Sequence, residues 1–275
     1  RLGLRLSQQN NLGKTGFDIG AIAMLSDSVV NARLFPLQPT IGYKKWQVNL
    51  NNFISYNFYT RHIDANLRMK GENSALDLYT EHNGLHAHTD SIDHGQEDII
   101  LKISDIHIQD WIAINPFAPP MRGDLSANMR INWDGATNIN GSGTVGLDNF
   151  FYDNQRVATL LADVDVSTNT SGTVRASADL MVDGKKSITL AGALNDSTTT
   201  SPFNLDLSVI HFPLATVNPF LPADMMRLRG TLNGSMQVSG NSDHPLLNGN
   251  IDFDSTAVKV AMTGTEYTFS DVDIP

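Results

Sequence analysis

Two neighbouring stretches of the sequence decide the fold. Residues 230–240 read Gly-Thr-Leu-Asn-Gly-Ser-Met-Gln-Val-Ser-Gly, and residues 245–253 read Pro-Leu-Leu-Asn-Gly-Asn-Ile-Asp-Phe. In both, apolar residues alternate with polar or small ones, which is typical of a β-strand with one apolar and one polar face. The residues between them are rich in Asn, Ser and Asp, a composition typical of turns. The stretch therefore predicts two half-exposed antiparallel strands joined by a turn.

The same period-two alternation recurs along most of the chain. Residues 63–69, 125–133 and 203–209 are clear examples, and turn-forming residues separate such runs at short intervals. No segment shows helical periodicity over three turns. This pattern predicts an all-β fold of antiparallel or otherwise half-exposed strands.

The unit that contains residues 230–253 has an earlier counterpart in the chain. Residues 115–119 read Asn-Pro-Phe-Ala-Pro and residues 218–222 read Asn-Pro-Phe-Leu-Pro, and the pattern Ser-x-Ile-His precedes both, at 104–107 and 208–211. Coincidence between two Gly-rich hairpins is the alternative, but the order of matching elements argues against it. Repeated strand units that cannot bury their own apolar faces predict a stacked, open-ended architecture.

The repeat suggests how the chain is divided. We expect residues 1–110 to form a first length of sheet with a meander, residues 111–213 a first repeat unit, and residues 214–275 the start of a second. Together they are predicted to form one continuous elongated fragment of a larger protein. Short helices are expected at residues 109–114 and 213–217, each ended by the proline of the Asn-Pro pair, which disfavours helical geometry in the residue before it.

Composition excludes several functions. The net charge is −10, from 19 Lys and Arg against 29 Asp and Glu, and the basic residues are scattered, so nucleic acid is not an expected partner. The chain has no cysteine and therefore no thiol nucleophile, disulfide or zinc-thiolate site. No apolar run approaches the roughly 20 residues that cross a bilayer as a helix.

Residues with catalytic or metal-binding chemistry are few. No nucleophile elbow, phosphate-binding loop or dinucleotide motif is present, so we expect neither an enzyme nor a cofactor. His86 and His88 lie in a His- and Asp-rich run and would share a face on a strand, which makes them weak metal candidates, but a solvated polar hairpin is the favoured interpretation. Trp46, Trp111 and Trp133 are possible ligand platforms, although aromatic residues on the apolar face of a sheet usually pack there.

Several motifs resemble those of one known family. The Pro-bounded turn, the Gly-x-Leu-x-Gly-x-Met-x-Val-x-Gly strand at 230–240 and the Pro-Leu-Leu-Asn-Gly-x-Ile strand at 245–251 are similar to the repeat of the TamB family, within the AsmA-like group of bridge-like lipid transfer proteins. The resemblance is clearest over residues 98–275. The first copy departs from the pattern at its turn, where Trp133 stands in place of Gly240.

The resemblance implies an architecture and a place in the cell. Proteins of this family form an elongated, curled antiparallel or mixed sheet, a half-pipe called a β-taco, with an apolar concave lining and few very short helices. They span the periplasm of Gram-negative bacteria, are anchored in the inner membrane and act with TamA, an outer-membrane barrel of the Omp85 type. They are implicated in phospholipid transport between the membranes and, in an older interpretation, in outer-membrane protein assembly.

The strand pattern leads to a compatible hypothesis. A sheet with one apolar face and no helix to cover it either packs on a second sheet or curls into an apolar channel. Acyl chains in such a channel would gain about 0.8 kcal/mol for each buried CH₂. The predicted lining is one face of the strands, represented by Leu125, Met129, Ile131, Val145, Leu205, Leu207, Met236, Val238 and Ile251.

Two alternatives and one further partner remain open. A client strand could add to a sheet edge by β-augmentation during outer-membrane protein assembly. A closed β-sandwich could serve a structural role. Open sheet edges could also pair two copies of the chain as a dimer.

Overall fold

The computed structural model describes residues 1–82, 97–115, 117–133, 138–169, 171–194, 203–222, 225–240, 245–269 and 272–274. Strands dominate these residues and every assigned pairing is antiparallel, so the predicted all-β class is confirmed. The strands are β1 Leu2–Gln9, β2 Thr15–Ser26, β3 Val29–Ile41, β4 Lys44–Lys45, β5 Gln47–Val48, β6 Phe53–Asn57, β7 Ile63–Lys70, β8 Ala75–His82, β9 Glu97–His107, β10 Met121–Trp133, β11 Ile139–Tyr152, β12 Gln155–Thr168, β13 Val174–Val182, β14 Lys185–Leu194, β15 Phe203–Pro213, β16 Met226–Gly240, β17 Pro245–Val260, β18 Thr265–Phe269 and β19 Val272–Ile274.

The chain forms two compact units. The first comprises Arg1–Ala118 and Asp124–Val145, and the second comprises Pro119–Gly123 and Gly146–Pro275. The division of the sequence into residues 1–110, 111–213 and 214–275 follows the repeats and stays a prediction.

In the first unit, strand pairing places the apolar residues of successive strands opposite one another. Leu67 of β7 lies opposite Leu78 of β8, Leu78 lies opposite Leu101 of β9, and Leu101 lies opposite Met129 of β10. The residues between them, such as Arg68, are mostly polar and point to the other face. Because side chains alternate along a strand, this register gives the sheet one apolar face.

The sheet of the first unit is curled. β6, β7 and β8 lie between β3 and β9 in the order of pairing, yet Lys44, just after β3, forms an ion pair of 2.6 Å with Asp110, just after β9. A Cβ added to Gly42 would lie 2.5 Å from the carbonyl oxygen of the same aspartate. A flat sheet cannot bring these strand ends together, so the sheet wraps around its apolar face.

The second unit repeats the arrangement with β12 to β17 paired in succession. Leu190 of β14 lies opposite Leu207 of β15, and Leu207 lies opposite Met236 of β16. Phe220, which follows β15, contacts the ring of Tyr152, which precedes β12, with ring centroids 4.7 Å apart. This sheet is also curled, because β13 and β14 separate β12 from β15. Each strand from β12 to β17 pairs with the next one along the chain.

A short helix follows the corresponding strand in each unit. The α-helix α1, Ile108–Ile112, follows β9, and a 3₁₀ helix, Leu214–Phe220, follows β15, close to the predicted positions. The expectation that proline ends the second helix is wrong, because Pro219 lies inside it and is buried. Both polar atoms of the Asn218 side chain bond to the backbone of Leu228, which fixes this turn without the missing proline N–H.

Each unit also contains a β-bulge just before its helix. The pairing register shifts between β9 and β10 and between β15 and β16, and left-handed backbone occurs at Asp105 (φ 49°) and His211 (φ 45°). Asn149 in β11 and Ser255 in β17 have φ values of 48° and 49°. A bulge adds one residue to its strand. The next apolar position after Ile103 is therefore Ile106, and the next after Val209 is Phe212.

Candidate functional site

The candidate site in the second unit is the apolar face of β12 to β17. Its members are paired side by side across the strands and lie between the bulges and the free strand ends. The face consists of Leu160, Ala162, Val164, Val166, Val174, Ala176, Ala178, Leu180, Ile188, Leu190, Gly192, Leu194, Phe203, Leu205, Leu207, Val209, Gly234, Met236, Val238, Leu247, Gly249 and Ile251. None of these positions carries a charged side chain.

Five of the residues predicted from sequence lie on this face. Leu205 is paired with Val238, Leu207 with Met236, and Ile251 with Gly234. All five predicted residues are half-buried. The structure thus places them together on one surface, and their contact with lipid stays a prediction.

Two glycines of this face lie in close contact with the neighbouring strand. Gly249 lies opposite Met236, and a Cβ added to it would overlap the carbonyl oxygen of Ser235. Gly192 lies opposite Leu205 in the same way. Because these two positions carry no side chain, the neighbouring strand approaches closely there.

The other four predicted residues belong to the first unit. Leu125, Met129 and Ile131 lie at alternate positions of β10 and share one face. A Cβ added to Gly143 would lie 2.6 Å from the Cα of Met129, so Val145, two residues further along β11, has the same parity. All four are half-buried, and Leu125 packs against a buried cluster that occupies this end of the sheet.

That buried cluster fills the apolar face of the first unit. Its buried members come from β2, β3, β5, β7 and β9 and from the turn before β5, and they are Phe17, Ile41, Trp46, Val48, Leu67, Met69 and Ile106. Trp46 is 4% exposed and meets Trp111 of α1 edge to face, with ring centroids 5.8 Å apart and planes at 79°. Packing rather than ligand display is therefore confirmed for Trp46.

The other end of the first unit is lined by aromatic rings. Trp133, at the end of β10, stacks on Tyr56 of β6, with centroids 6.5 Å apart and planes within 4°. Phe58 meets Tyr56 edge to face and is 57% exposed. Aromatic side chains thus border the apolar face where the buried cluster ends.

The second unit has only a small buried cluster among its described residues. Val157, Ala158 and Val182 form it, with Phe212 packed against it. The 3₁₀ helix adds Phe220, which also contacts Phe150 and is 51% exposed. This cluster lies at the bulged end of the sheet, where Leu160 and Leu180 of the face pack against it. Farther from the cluster, Leu190 and Leu194 of the same face are 38% and 40% exposed.

Exposed ion pairs lie on the polar face and at a turn of the second unit. Lys186 bonds to Asp179 at 2.7 Å and holds the pKa of that carboxyl below its usual range, with Thr189 as a second donor. Arg156 bonds to Asp183 at 2.7 Å and lowers its pKa, helped by the backbone N–H of Thr159. These pairs tie neighbouring strand ends together and leave the carboxylates ionised, as structural ion pairs do.

Metal chemistry receives no support from the described residues. No group of three or more His, Cys, Asp or Glu among them is arranged to hold a metal ion. His86 and His88 lie outside the described residues. In the part of the chain that the structure describes, no helix has the length and apolarity needed to span a bilayer.

Two features of the site escaped the sequence reasoning. The contributions of β12 to β14, such as Val164, Ala176 and Leu190, were identified as strands but not as lining, although their alternation contained the signal. The contact between Trp46 and Trp111 had no local signal, because it depends on how the sheet curls.

Comparison with known proteins identifies the family. Residues 87–263 match the family model described as the TamB C-terminal domain, and this match covers more than half of the chain. No curated protein and no solved structure matches the chain. Proteins of this family have a role in the Gram-negative envelope, in the assembly module linked to TamA. The chain therefore belongs to the TamB family.

Proposed function

We propose that this chain is a segment of a periplasm-spanning protein, anchored in the inner membrane, that shields phospholipid acyl chains during transport between the inner and outer membranes. The observation that carries the proposal is the half-buried, uncharged face of β12 to β17. It is continuous across strands because Leu190, Leu207 and Met236 are in register. Contiguous apolar surface of this kind marks a site of interaction when it is not covered.

The energetics favour an acyl chain as the occupant. Leu190, Leu194 and Leu247 are 38%, 40% and 67% exposed, so a bound acyl chain would remove more of their apolar surface from contact with water. Each CH₂ of a lipid tail gains about 0.8 kcal/mol on transfer to such a surface. The contacts are non-directional, so a tail has many positions of similar free energy and no polar constellation is required.

The test uses the two faces of one strand. Met236 faces the apolar side of β16 and Gln237 the polar side, where its side chain bonds to Asp206 at 3.1 Å. A photoreactive residue replaces either one, and the protein is illuminated in the cell envelope. We expect phospholipid adducts at position 236 and few at position 237. Equal labelling at both positions would overturn the proposal.

A client strand is the second candidate, supported by a stretch of β17 that lies outside its described pairings with β18 and β19. On the outer side of β17, β18 pairs with residues 256–260 and β19 with residues 251–253, so residues 245–250 lie beyond both pairings. Outer-membrane protein strands delivered to an Omp85-type barrel such as TamA, or a second copy of this chain, could add there. This candidate predicts that a photoreactive residue at Asn248 crosslinks to protein and that one at position 236 forms no lipid adduct.

A further inference from the structure

We propose that Trp46 and Trp111 form a displaceable plug, occupying in the first unit the place that an acyl chain takes in the second. This inference rests on the proposed function. Both indoles lie on the apolar side of the first sheet, where Trp46 is packed with Leu67 and Met69. While they remain there, a lipid tail cannot run along that end of the face.

The plug belongs to segments inserted between regular strands. Trp46 stands between the two-residue strands β4 and β5, and Trp111 stands in α1. Neither tryptophan belongs to a long strand. The strands that flank Trp46, β4 and β5, pair with β3 and β7 over two residues each, whereas Leu67 and Met69 lie in the longer ladder between β7 and β8. A side chain on a short insertion can leave without unzipping the ladder beneath it, which is the property that a plug requires.

The helix that carries Trp111 is weakly held. α1 has five residues, its N-cap makes no side-chain hydrogen bond and none of its residues is classed as buried. Helices this short are not stable by themselves in water. The Nε1 atom of Trp111 is inaccessible to solvent and meets no hydrogen-bond acceptor in the described residues. A buried donor without an acceptor favours an alternative state in which water reaches it.

An ion pair connects α1 to β4. Lys44 Nζ lies 2.6 Å from Asp110 Oδ2, and the two side chains are 49% and 18% exposed. We call this pair the latch. Asp110 is directly next to Trp111, and Lys44 lies two residues before Trp46, so the latch ties together the two segments that carry the indoles.

The test compares the latch with a matched ion pair elsewhere. Lys44→Met removes the latch, and Lys186→Met removes the pair with Asp179, whose lysine is as exposed as Lys44 but which lies on the polar face of the second unit. A photoreactive residue at Ile103, which packs against the buried cluster, reports lipid under the plug, and one at Met236 reports the open face. The probe is vesicles of phosphatidylethanolamine and phosphatidylglycerol, and far-ultraviolet circular dichroism confirms folding.

We expect Lys44→Met to raise labelling at position 103 by about two- to fivefold, the change in population that an exposed ion pair of ordinary strength supports. Lys186→Met should leave it unchanged, and labelling at position 236 should be the same in all variants. A second variant, Trp111→Ala, should raise labelling at position 103 further, because it removes half of the plug.

The outcomes separate the two proposals. Labelling at position 236 together with no response at position 103 to either Lys44→Met or Trp111→Ala overturns the plug and leaves the proposed function intact. An equal response to Lys44→Met and Lys186→Met also overturns the plug. Absence of lipid from position 236 as well as position 103 overturns both.

Discussion

The first unit buries Leu67 and Met69 to 7% and 3% exposure, whereas the second leaves Leu190 and Leu194 at 38% and 40% on the corresponding apolar face. Both faces arise from the same period-two alternation held in register by antiparallel pairing. The difference comes from what lies over them, since the first unit inserts Trp46 and α1 and the second has a 3₁₀ helix at its bulged end only. Strand parity thus creates an apolar face, and insertions decide whether that face is buried or left half-exposed.

The largest expected effect is on the filled face. Trp46→Ala removes a buried aromatic side chain and should lower the free energy of unfolding by about 3–5 kcal/mol. Leu207→Ala, on the open face, should lower it by only about 1 kcal/mol, because a half-exposed side chain loses less burial. Urea unfolding followed by circular dichroism measures both. Equal losses would mean that the two faces are packed alike.

The bulged end of the second unit should be nearly as sensitive. Gly230 has a φ of 96°, and an added Cβ would lie 2.5 Å from the Ser255 carbonyl oxygen, so Gly230→Ala should destabilise by roughly 2–3 kcal/mol through strain and steric conflict. Gly264 has a φ of 67° with nothing within 4 Å of an added Cβ. Gly264→Ala should therefore cost only about 1 kcal/mol. Thermal unfolding midpoints give the comparison, and similar shifts would argue against close packing at Gly230.

The smallest expected effect is on the stability of the protein at low pH, through one exposed ion pair. Arg156 lowers the pKa of Asp183 below its usual value of 3.8, so the folded chain binds this proton less readily than the unfolded chain does. The pair therefore adds stability above pH 4, and that contribution is lost as the pH falls through the lowered pKa. Asp183→Asn should reduce stability slightly at pH 7 and weaken its decline below pH 4.

Asp18, which Arg5 holds in the same way in the first unit, provides the matched comparison for this acid response. Asp18→Asn should alter the same pH range by a similarly small amount, because both pairs are exposed and screened by solvent. Unfolding midpoints measured between pH 3 and pH 7 test both variants. An unchanged acid profile in Asp183→Asn would show that the pair contributes no stability.

The alternation of the sequence was enough to predict the all-β class and the face shared by residues such as Leu205 and Met236. Leu205 and Met236 lie on the predicted face because period two survives in the pairing. The Ser-x-Ile-His motif did not predict where the β-bulge lies in each repeat. The left-handed residue is Asp105, the second of the motif, in the first copy and His211, the fourth, in the second copy. Bulge position depends on the partner strand, which a motif in one strand does not encode.

The filling of the first unit was equally beyond the sequence. Trp46 and Trp111 are far apart in the chain and meet because the sheet curls between them. The prediction that aromatic residues pack on apolar faces applied to both units alike. It contained nothing to distinguish the closed face from the open one.

The central claim is that the uncharged face of the second unit binds phospholipid. Native mass spectrometry after extraction of the protein from the envelope in mild detergent measures this directly. Met236→Glu places a carboxylate on that face, and Gln237→Glu places the same group on the opposite face of the same strand. We predict co-purified phospholipid in the unaltered protein and in Gln237→Glu, and its loss in Met236→Glu. Equal retention in both variants, or no phospholipid in the unaltered protein, would contradict the account.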